Sequence, residues 1–117
     1  MKEFALIFRL SNASDAQPSP EQIQERLNWL ASIAVQNKLV DKGNTLSSVH
    51  AKSVRSDQVV TDGPYTEIKE FISGYLIVKT ATIEEAVELA QANPILKIGG
   101  TIEVRELVKL YGGNLGD

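Results

Sequence analysis

FISGYLIVK, residues 71–79, decides the fold. The run is rich in aromatic and β-branched side chains, and it is apolar at both odd and even positions, which reads as a central strand covered on two faces. It is preceded by TDGPYTEIKE, residues 61–70. There Asp62 can cap its own turn, Gly63 tolerates positive φ, and Pro64 fixes the next φ, so the chain turns before it enters the strand. After the strand, Thr82 with Glu85 three residues later reads as a helix start. Ala86, Val87 and Ala90 are expected to point inward, and Asn93-Pro94 ends that helix.

Further out, FALIFRL at residues 4–10 is a second strand with large side chains on both faces. A polar loop follows, and Ser19, Pro20 and Gln22 supply a cap, a first-turn proline and a capping box. That spacing predicts a helix to about Lys42, stopped by Gly43. Ile23, Leu27, Leu30, Ala31 and Ala34 form one apolar face, with Trp29 and Ile33 on a flanking stripe. Trp29 is read as a core or interface residue. Residues 45–60 alternate loosely and break at Ser56-Asp57-Gln58, a hairpin turn without glycine, which places Arg55 and His50 on a strand. Gly99-Gly100 breaks the chain before a last strand over residues 101–110, in which Glu103 and Arg105 point the same way. Residues 111–117 are read as a loose tail, leaving a single domain over residues 1–110.

The order is strand, helix, strand pair, strand, helix, strand. This is an α+β domain of ferredoxin-like topology, with an antiparallel sheet and two helices on one face. Two helices cover one face of such a sheet, yet residues 4–10 and 71–79 are apolar on both. A homodimer joined sheet to sheet is the expected cover, giving a dimeric α+β barrel.

Composition removes several function classes. The 117 residues hold no cysteine and one histidine. Disulfides, thiolate chemistry and multi-histidine metal sites within one chain are therefore excluded, and no cofactor is expected. The net charge of −3 without a basic cluster argues against nucleic acid. The apolar run of MKEFALIFRL is too short for a signal segment, and no stretch approaches a membrane span, so a cytoplasmic protein is expected.

Taken together, the motifs around the opening strand resemble the DGPF branch of the YCII-related family. The matching residues are Val54-Arg55, Thr61-Asp62-Gly63-Pro64, Glu67, Lys69-Glu70, Gly74-Tyr75, and Gly99-Gly100 through Glu103-Val104-Arg105. Departures fall at Tyr65, Ile68 and Ser73. The resemblance implies the dimeric α+β barrel and a functional link to a sigma factor. Some members use a His–Asp pair with the histidine at the first helix. This chain reads PSPEQIQERLNWL there, without histidine, so that pair is not carried over.

Three functions fit these residues. The first is a homodimeric small-molecule-binding domain, with a sensing or regulatory role, whose ligand meets Arg55, Asp62, Tyr65, Lys69, Tyr75 and Arg105. The second is a cofactor-independent enzyme. It would use Asp62 as acid–base group, His50 or Tyr75 assisting, and Arg55 or Arg105 against negative charge. The third is a non-catalytic interaction module in which the turn only shapes the dimer.

Overall fold

The structure is a computed structural model that describes residues 1–10, 18–63 and 71–109. Its elements are β1 (Lys2–Leu10), α1 (Pro20–Val35), β2 (Leu39–Thr45), β3 (Lys52–Val54), β4 (Val60–Asp62), β5 (Phe71–Thr80), α2 (Ile83–Gln91), a 3₁₀ turn (Pro94–Ile98) and β6 (Thr101–Glu106). Four strands form one antiparallel sheet in the order β2-β5-β1-β6, and β3 pairs with β4 in a separate hairpin. The sheet has the order of a ferredoxin-like subunit, with the hairpin inserted ahead of β5.

The starts of α1 and α2 are those expected. Ser19 accepts from the Gln22 amide while the Gln22 side chain accepts from the Ser19 amide, and Pro20 takes the first turn. Thr82 accepts from the Glu85 amide at 3.3 Å. Asn93 starts the 3₁₀ turn by accepting from Ile95, and Gly99 ends it in the left-handed region.

The end of α1 differs from the expectation. The helix stops at Val35, and residues 39–45 form edge strand β2. Asn37 takes φ 59°, and the Asn37 and Lys38 amides donate back to Ala34 and Ile33 at 2.9 and 3.2 Å. This is a Schellman stop with asparagine in place of glycine. Gly43 instead sits in a bulge where β2 shifts register against β5. At φ 66°, an added Cβ would lie 1.6 Å from the Tyr75 carbonyl oxygen. Only glycine allows that approach.

Packing chooses between the two apolar stripes of α1. Trp29 and Ile33 are the buried pair, whereas Ile23 and Leu27 are 39% and 51% exposed. Both stripes have helical spacing, and packing chose the one carrying the indole. Trp29 donates Nε1–H to the Leu89 carbonyl at 2.8 Å and meets Phe8 edge to face at 6.2 Å. With Phe4, Leu6, Leu76, Val78, Ala86 and Ala90, these residues make the core between sheet and helices. Each large apolar side chain there contributes about 1.5–3 kcal/mol relative to exposure. Ala86 and Ala90 point inward as expected, but Val87 stays 38% exposed. Buried Thr80 is satisfied by donating to the Thr82 carbonyl at 2.7 Å, which ties β5 to the start of α2.

The hairpin turn falls where the break at residues 56–58 placed it. The Gln58 amide donates to Arg55, the Arg55 amide donates to Val59, and Gln58 itself adopts φ 70° in the position glycine usually fills. Two positions move: His50 lies on a bend before β3 rather than on a strand, and Arg55 falls just after β3. The last strand ends at Glu106, and residues 110–117 lie outside the described residues.

Candidate functional site

Alternation along β1, β5 and β6 separates two faces of the sheet. Phe4, Leu6, Leu76 and Val78 face the helices, which leaves Ala5, Ile7, Tyr75, Ile77, Glu103 and Arg105 on the other face. Ile7 stands opposite Tyr75 on one side and Glu103 on the other. Arg9 on β1 pairs with Glu103 at 3.1 Å, and Glu103 also accepts from Arg105 at 3.2 Å. The Arg9 Nε is buried and has no partner among the described residues. The open face is therefore apolar at its centre and charged toward β6. Tyr75 accepts at its hydroxyl from the Asn44 side chain on β2 at 3.0 Å.

The hairpin carries a second group. His50, Lys52 and Asp62 line one open depression of about 540 Å³. Lys52 and Asp62 are opposite each other across β3 and β4 and form an ion pair at 2.7 Å. The Asp62 side chain is 93% exposed, so this pair is strongly screened by water. Gly63 is tied to the hairpin through its backbone: its amide donates to Ala51 and its carbonyl accepts from Ser53. The His50 amide donates to Ser47, which fixes the bend.

The larger cavity lies elsewhere. It measures about 720 Å³ and opens between α1, the bulged end of β2 and the 3₁₀ turn. Its apolar wall includes Phe8, Leu27, Trp29 and Ile98, and its polar groups include Arg26, Lys42 and Asn44. That volume is within the range of small-molecule sites, and so is the mixture. α1 ends at Val35, short of the cavity's β2 wall. The chain then returns as β2, and the Gly43 bulge bends the strand beside the gap.

The structure thus distributes the expected residues over three places. Tyr75 and Arg105 share the open sheet face, His50 and Asp62 share the hairpin depression, and Arg55 is exposed at the hairpin turn. Tyr75 also lines the large cavity. Tyr65 and Lys69 lie outside the described residues. Arg9 on the open face and Arg26 and Lys42 at the large cavity are not among the residues the sequence pattern singles out. A usable signal existed for Arg9, a lone charge in an apolar strand facing the charged pattern of β6. Lys42 was hidden by its assignment to a helix. Among the described residues no cluster of His, Asp and Glu could hold a metal ion, and no helix is long and apolar enough to cross a membrane.

The sequence matches the family model of the YCII-related domain over residues 10–110. It is also 30% identical over 95 residues to an uncharacterised protein of Rhizobium meliloti (strain 1021), with 70% of this chain and 74% of the relative covered.

Proposed function

The chain belongs to the YCII-related family, and on that premise we propose that it is a homodimeric binding domain for a small amphipathic molecule. The observation that carries this reading is the cavity of about 720 Å³ with aromatic and aliphatic walls and a few polar groups. The uncovered face bearing Ala5, Ile7, Tyr75 and Ile77 supports pairing of two subunits sheet to sheet, as in a dimeric α+β barrel. The TDGP turn and the closing GGTIEVREL segment support the DGPF branch, which implies a regulatory or sensing role linked to a sigma factor. The acid–base reading is favoured by one observation, the depression that His50, Lys52 and Asp62 share. The exposure and pairing of Asp62 weigh against it, since a general base needs a cleft that shields it from water.

The test is a thermal-shift screen against a broad metabolite panel. It uses the natural chain and the cavity-filling double variant Leu27→Phe, Leu46→Phe, both at exposed rim positions of the cavity. A native-state ligand raises the melting temperature of the natural chain. The filled variant is expected to fold and to lose the hits. Hits that persist in it place the ligand elsewhere, and hits abolished by Asp62→Asn instead favour the hairpin.

A further inference from the structure

We infer that the ligand of the α1–β2 cavity is a carboxylic acid with an apolar body, held by Arg26 and Lys42. The inference rests on the cavity reading above and adds the charge of what the cavity takes. In a chain of net charge −3, the described residues lining this cavity include two cations and no carboxylate. Arg26 comes from α1 and Lys42 from β2, so the positive charge approaches from two walls. Elsewhere on the molecule Arg9, Lys52, Lys97 and Arg105 each pair with an acid. Arg26 and Lys42 form no ion pair with any described residue, and a free guanidinium suits a planar carboxylate. Position also matters: Lys42 immediately precedes Gly43, whose approach to the Tyr75 carbonyl excludes every larger residue. Bulges of this kind re-aim the neighbouring side chain. The apolar body of the ligand would lie against Leu27, Ile98 and the Trp29–Phe8 pair.

Trp29 is the sole tryptophan of the chain and lines the cavity, so its emission reports occupancy. The experiment titrates the natural chain with two acid–amide pairs: phenylbutyrate against phenylbutanamide, and cyclohexaneacetate against cyclohexaneacetamide. The expected result is a saturable change in Trp29 emission, with each acid binding at least about tenfold tighter than its amide. Added salt should weaken the acids alone. In the Arg26→Gln, Lys42→Gln double variant the gap should close to within about twofold, whereas Lys2→Gln, at an exposed position of β1, should leave it unchanged. Both substituted cavity positions are exposed, so the variant should fold. If acids and amides bind equally, and the double variant changes nothing, the cavity reading survives and the charge assignment is overturned. If no probe alters Trp29 emission, the cavity reading falls and the inference with it.

Discussion

The four-stranded sheet and the β3–β4 hairpin are made of similar residues and held by different forces. Valine occurs in the strands of both. In the sheet, Val78 is fully buried beneath the helices, whereas Val54 and Val60, paired across the hairpin, are 68% and 54% exposed. Strand propensity is the same in both places, but only the sheet has a second layer to exclude water. A two-stranded hairpin alone in water is marginal. This one relies on its turn, with Gln58 in the left-handed region, and on backbone bonds around Gly63. The Thr61-Asp62-Gly63 stretch lies on the marginal element, and the larger cavity opens beside the stable one.

The largest expected effect lies in the layered region. Phe4→Ala removes a ring that is 1% exposed and sits against the core of both helices, so urea denaturation should show a loss of about 3–5 kcal/mol. Val54→Ala, its counterpart in the hairpin, should stay within about 0.5 kcal/mol, because its side chain is already in water. Equal losses would erase the distinction between the two regions.

Gly43→Ala comes next. The added Cβ must be accommodated against the Tyr75 carbonyl, and alanine at that φ is strained in addition, so a loss of about 3 kcal/mol is expected. Hydrogen exchange sharpens this: protection should fall along β2 and its β5 partners first and leave β1–β6 pairing intact.

That glycine also shows where the sequence was legible. Capping chemistry is local, so Ser19-Pro20, Thr82 and Asn93-Pro94 could be read directly, and the two-faced strands gave the sheet and its uncovered side. Gly43 could not be read this way. A glycine after an apolar helical pattern has the same signature whether it stops a helix or permits a bulge, and the true stop used Asn37. The two stripes of α1 were equally periodic, so only packing could choose Trp29 and Ile33. The cavity was invisible for the same reason. Arg26, Lys42 and Ile98 share no local pattern and come to one cavity from three separate elements. The TDGP motif drew attention to Asp62 because turn chemistry is readable, whereas exposure is a property of the folded chain.

The smallest expected effect is on that aspartate. Asp62→Asn keeps the size and a side-chain acceptor oxygen but removes the charge facing Lys52. With the two side chains 93% and 68% exposed, the ion pair should be worth less than about 0.5 kcal/mol in one subunit. Denaturation at low protein concentration should therefore barely distinguish the variant from the natural chain, and moderate salt should remove what difference there is. Concentration supplies the decisive axis. If the hairpin lies free, the small difference should hold from nanomolar to high micromolar protein. If the exposed valines and Asp62 are instead buried against a second subunit, the variant should lose stability by more than about 2 kcal/mol, and only where the dimer forms. That outcome would move the hairpin from the marginal region to the interface and give the acid–base reading the enclosed cleft it lacks in a single subunit.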